Sequence, residues 1–123
     1  MKCTTCKMQV DVGVALIALS LGLIVLTKMI PSVYASVQTL LDRPVPWMDK
    51  VCISPRRCAS NGWTLMHLLL YTIIGACAGF KWRYLIIGAV WEAVEVSFNA
   101  YYWCDILWNT IGLALGSCFH YLQ

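Results

Sequence analysis

Three features of the sequence predict an all-α, polytopic membrane fold with four transmembrane helices, the last three packed as a compact antiparallel bundle. The 123-residue chain is 60% hydrophobic, with a mean hydropathy of +0.70. Only 12% of its residues are charged, whereas a soluble domain carries about a quarter. The apolar residues gather in four runs, 12–30, 63–80, 84–103 and 106–121. Each approaches the roughly 20 residues that carry a helix across hydrocarbon.

Taken in order, residues 1–30 form an N-terminal segment and the first membrane helix. The basic start followed by an apolar run resembles a signal peptide. The run covers 19 positions from 12 to 30, longer than the roughly 7–15 of a signal core, and is read as a retained anchor. Residues 31–62 hold Pro31, Pro44, Pro46 and Pro55 and read as an interfacial loop. Within it, 33–41 has the character of a short amphipathic helix, and Trp47 and Met48 are expected to dip into the interface. Residues 63–123 form the three-helix core. The connection at Lys81, Trp82 and Arg83 is short enough to force a hairpin, and a turn around 102–104 forces the next.

The net charge of +3 leaves no nucleic-acid footprint, because the bases are scattered and no basic stripe interleaves with aromatics. Charge does not orient the chain either. Lys2, Lys7, Lys81 and Arg83 fall on one side, against Lys28, Arg43, Lys50, Arg56 and Arg57 on the other. Of seven cysteines, Cys77, Cys104 and Cys118 sit in apolar runs and read as small packing residues. Cys3 and Cys6, with Cys52 and Cys58, have the numbers for a four-thiolate zinc site, yet the first helix separates the two pairs. A Cys52–Cys58 disulfide or unpaired thiols remain.

The chemistry concentrates late in the chain. His67, Glu92, Glu95, Asp105 and Asn109 are polar groups in apolar segments, and an acid near the bilayer centre costs roughly 2.5–3.5 kcal/mol on the insertion scale. Glu92 and Glu95 are three residues apart, and Asp105 and Asn109 four, so each pair projects from one helix face. With hairpins at both connections, and a rise of about 1.5 Å per residue, all five fall in the half of the membrane nearest the 31–62 loop. Arg56 and Arg57 hang over that side as phosphate partners or as a solvated charge pair. Protonated carboxyls bonded across helices are the plainer reading of any one of these residues. Their common depth points to a site. Gly112 and Gly116 form a GxxxG, a signal for close helix packing that also offers a route to self-association.

His67, the WEAVE stretch at 91–95 and DILWNTIGLALG at 105–116 resemble the small VanZ-like membrane proteins. In that family the last helix carries D-x-x-x-N-x-x-G-x-x-x-G and follows a helix with an acidic residue. The same residues are similar to the core of base-exchange phosphatidylserine synthases, which are much larger and space their Asp and Asn five apart. The likeness covers about residues 61–116. It implies a membrane-embedded site for phospholipid or lipid-linked phosphate head groups. Glu92, Glu95 and Asp105 would hold a divalent cation, Ca or Mg. His67 would act as base or acid, and Asn109 as a donor to phosphate.

Two other functions compete with head-group transfer. A non-catalytic small subunit of a larger assembly, such as a respiratory complex or a viral envelope, suits a chain of this size. An ion conduit would want acids through the whole bilayer thickness, and here they crowd one half.

Overall fold

The computed structural model describes residues 11–49, 60–96 and 102–123, and among them every regular element is a helix. Six occur in order: α1 (Val12–Lys28), α2 (Pro31–Leu41), α3 (Pro46–Asp49), α4 (Gly62–Ala78), α5 (Trp82–Val96) and α6 (Tyr102–Leu122).

Local chemistry sets the ends. Asp11 caps α1 by accepting from the Gly13 and Val14 amides. Pro31 opens α2, where a missing N–H is harmless. Asn61 and Thr64 form a reciprocal capping box at the start of α4. At the other end of α4 the chain reverses through Gly79, whose φ of 70° suits a residue without Cβ. The hairpin connection is thus 79–81, and Trp82 and Arg83 belong to the first turn of α5 rather than to the link. The run expected over 84–103 is also divided differently. α5 stops at Val96 and α6 begins at Tyr102, so Asp105 lies in the first turn of α6, where an acid complements the helix dipole.

The expected 31–62 loop contains two short helices, α2 and α3. α2 turns 116° away from α1. The Val45 amide donates to the Ser60 carbonyl (2.9 Å), and the Gly62 amide to Arg43 (3.1 Å), so the segment closes on its own base. Trp63 Nε1 donates to Asp42 at 3.2 Å, fixing the end of α2 to the start of α4. Met48 does not dip into an interface: it is fully buried against Cys104 and Trp108. Trp47 stays exposed, with its ring edge-on to Trp108 at 6.0 Å.

α4 and α6 run parallel in intimate contact. A Cβ at Gly112 would press on the Leu68 carbonyl, one at Gly116 would overlap the Thr72 carbonyl, and one at Gly75 would meet Leu113 and Ser117. The register is constant along the pair, from His67 beside Asn109 to the His120 ring, whose Nδ1 donates to the Ala76 carbonyl at 3.1 Å. The GxxxG face is therefore filled by α4 of the same chain. α5 lies against α6 and runs the other way. α1 joins at the far end, where the Tyr84 hydroxyl donates to Asp11 Oδ1 at 2.6 Å and Arg83 pairs with the same carboxylate.

The core mixes apolar residues with polar ones, and the outer faces are apolar. Glu92, Asn109, Thr64 and Ser117 are buried, while Leu19, Leu23, Leu69, Ile73, Ile86 and Phe119 are exposed on the outer faces. No single described helix is long and apolar enough to cross a membrane alone, and the bent α1–α2 pair is the only pair that passes that test by length and composition. At about 1.5 Å per residue, the 17 residues of α1 or α4 reach ~25 Å. Four full-length crossings are thus more than these helices supply singly.

Gly116→Ala should lower stability by about 1–3 kcal/mol, because the α4 backbone has to retreat. Gly22→Ala should be neutral or stabilising, because nothing lies within 4 Å of its Cβ position. Thermal unfolding of both variants checks the pair. A second outcome concerns acid. The Tyr84 hydrogen bond, with Arg83 and Lys81 nearby, holds the Asp11 carboxyl below its usual range. Its contribution is present above the ordinary carboxylate range and is lost as pH falls through the lowered value. In an acid titration of α1 docking, Tyr84→Phe should therefore release the helix at a higher pH than wild type.

Candidate functional site

The start of α4, the latter half of α5 and the start of α6 meet at the end of the bundle that carries the α2–α3 segment. Each contributes one residue to a group that could hold a metal. His67, Glu92 and Asp105 each offer one ligand atom, and these atoms all lie within 4.8 Å of one another. His67 Nε2 is 3.5 Å from Glu92 Oε1 and 3.8 Å from Asp105 Oδ2. Asn109, one helical turn beyond Asp105, accepts from the other side of the ring, with Nδ1···Oδ1 at 2.9 Å.

Burial differs across the group. Glu92 is 1% exposed and Asn109 2%, while the His67 and Asp105 side chains keep 21% and 14%. The acid on α5 is thus enclosed, and the groups from α4 and α6 retain a path outward. Trp108 and Met48 close one flank, and the Trp108 indole N–H, also buried, has no hydrogen-bond partner among the described residues.

The ring orientation has a chemical consequence. With Asn109 presenting its amide oxygen, Nδ1 carries the imidazole proton. The Nε2 lone pair of a neutral His67 then points at two carboxylates. Such an arrangement accommodates one further positive charge, either a proton or a cation among the three donors. Separations up to 4.8 Å are about twice the ligand distance of a hard divalent cation, so the donor set fits such an ion.

Of the residues singled out from sequence, His67, Glu92, Asp105 and Asn109 come together. Glu95 falls within α5, but its side chain lies outside the described residues, as do Arg56 and Arg57. Sequence reasoning missed Tyr71 and Gly88. Tyr71 lies one turn below His67 on α4 and donates to the Tyr84 carbonyl at 3.0 Å. A Cβ at Gly88 would strike the Tyr71 hydroxyl and approach Asn109 Nδ2, so this glycine lets both side chains lie against α5 one turn from Glu92. The four-residue spacing of His67 and Tyr71, and of Gly88 and Glu92, was the available signal.

The cysteines also depart from expectation. Cys104, beside Asp105, packs against Met48 and Trp108 as expected, and is in addition disulfide-bonded. Cys77 and Cys118 are free thiols exposed on the outer faces of α4 and α6. Cys3, Cys6, Cys52 and Cys58, to which the zinc and Cys52–Cys58 readings refer, lie outside the described residues.

No family model matches the chain, and neither a curated protein nor a solved structure is significantly similar to it.

The tautomer is measurable. In ¹⁵N spectra of the folded protein, His67 should be protonated at Nδ1, and Asn109→Leu should abolish that preference. An Nε2-protonated neutral ring in wild type would contradict the hydrogen-bond assignment.

Proposed function

We propose that this chain is a multi-pass integral membrane protein, similar to the small VanZ-like proteins, whose site acts on the phosphate of a phospholipid or another lipid-linked head group. The observation that carries this reading is the grouping of His67, Glu92 and Asp105 at one end of a bundle whose outer faces are apolar and whose interior encloses polar groups beside its apolar core. In water that distribution would be costly, because apolar side chains gain nothing from exposure. In hydrocarbon it is the favourable one, with polar groups paired in the interior. The short helices are accommodated by local thinning of the bilayer and by flanking anchors such as the exposed Trp82 and Lys81.

At the site, Glu92 and Asp105 would hold a divalent cation, with Glu95 as a further candidate ligand. Ca or Mg suits the carboxylates. When bound, the ion neutralises phosphate and stabilises charge developing on it. Asn109 orients His67. The Nε2 lone pair takes the proton of an attacking hydroxyl as a new P–O bond forms, and returns it to the oxygen of the P–O bond that breaks. Arg56 and Arg57 are the candidates for holding the phosphate from the loop.

A non-catalytic subunit of a larger membrane assembly is the second reading, and the near-complete enclosure of Glu92 favours it. Lipid turnover separates the two. Wild-type protein in liposomes of mixed phospholipids with divalent cations should yield a new lipid species by mass spectrometry. Glu92→Gln and His67→Ala should each lower the yield by about two orders of magnitude or more, the range of general acid–base catalysis. Absence of product from folded wild type would move the assignment to the subunit. Cation binding by purified protein should be lost in Glu92→Gln, and binding that persists would remove the metal from the proposal.

A further inference from the structure

Charge leaves the orientation of this chain undecided, and the state of its cysteines bears on it. α4 and α6 run parallel, so both begin at the site end and finish at the other. Cys104 lies in the first turn of α6 at the site end, buried against Met48 and Trp108, and is disulfide-bonded. Cys77, next to last in α4, and Cys118, in the last turns of α6, lie at the opposite end as free, exposed thiols. At about 1.5 Å per residue, Cys118 is ~21 Å along α6 from Cys104.

Disulfides persist in oxidising compartments, whereas glutathione and thioredoxin keep cytosolic thiols reduced. A chain bonded at one end and thiol at the other is laid out for a membrane between two such compartments. We infer that the end carrying His67, Glu92 and Asp105 faces the oxidising, non-cytoplasmic side, so that the site meets head groups of the non-cytoplasmic leaflet. The end carrying Cys77 and Cys118 then faces the cytoplasm, together with Lys81 and Arg83. This assignment rests on the membrane reading above and narrows its substrate to the lipids of one leaflet.

The same bond acts on the site. Cys104 immediately precedes Asp105 in the first turn of α6, so the disulfide anchors the backbone that presents this carboxylate to His67.

The test uses the full chain in bacterial spheroplasts, whose outer surface is the oxidising side. Two reporters are introduced singly into a Cys77→Ser, Cys118→Ser background: Gln38→Cys on α2 at the site end, and Lys81→Cys in the α4–α5 connection. A membrane-impermeant maleimide, scored at the reporter position by peptide mass spectrometry because Cys3, Cys6, Cys52 and Cys58 are still present, should label Gln38→Cys in intact spheroplasts. It should label Lys81→Cys only after permeabilisation. In wild type denatured without reductant, alkylation should modify Cys77 and Cys118 but reach Cys104 only after reduction. Labelling of Lys81→Cys from outside with Gln38→Cys protected reverses the orientation and overturns the inference, leaving the membrane reading intact. Alkylation of Cys104 without reductant overturns it as well. Release of wild type from the membrane by alkaline carbonate overturns the membrane reading itself.

Discussion

The backbone contact between α4 and α6 is the constraint on which the rest of the structure depends. Gly75 on one helix and Gly112 and Gly116 on the other remove the side chains that would hold the two axes apart, and Thr72 and Ala76 fill the space with little bulk. Helices brought this close have one register. That register sets His67 against Asn109 at one end and His120 against the Ala76 carbonyl at the other. Where no hydrophobic force separates helix from solvent, as in lipid, close van der Waals packing of small residues is the available means of association. The glycine pair that offered a dimerisation surface in the sequence is spent inside the chain.

Given that register, the site follows from α5. The reversal at Gly79 returns the chain antiparallel, and Gly88 lets α5 approach Tyr71 and Asn109 closely enough for Glu92 to reach His67. Tyr71 contributes a hydrogen bond to the α5 backbone one turn below the imidazole and fixes the depth at which Glu92 enters. The polar groups thus form a layer across three helices. A buried carboxylate is costly unless partners or an ion compensate it, and the arrangement provides both a histidine and a second acid at a separation that an ion can bridge.

The loop preceding α4 belongs to the same construction. Met48 inserts beside Trp108 and Cys104, and the capped start of α4 is tied to α2 through Trp63 and Asp42. A disulfide at Cys104 adds a covalent anchor to the turn that carries Asp105. The site end is therefore the braced end of the molecule, and the opposite end is held by the charged cluster of Asp11, Arg83 and Tyr84.

The sequence by itself determined the helical class, the positions of four apolar runs, the hairpin between α4 and α5, and the helix-face pairing of Asp105 with Asn109. These depend on local periodicity, composition and connection length, which are written residue by residue. It also carried enough to place His67, Glu92, Asp105 and Asn109 at one depth, because hairpins fix direction and each residue adds a fixed rise. What only the tertiary structure decided was lateral. Sequence gave no means of knowing that Gly112 and Gly116 face α4, that Met48 is enclosed, or that Cys104 is bonded while Cys77 and Cys118 are not. Tyr71 and Gly88 looked like ordinary apolar-helix residues for the same reason. Depth along a helix is a local quantity, whereas the neighbour across a helix depends on how every other helix has packed.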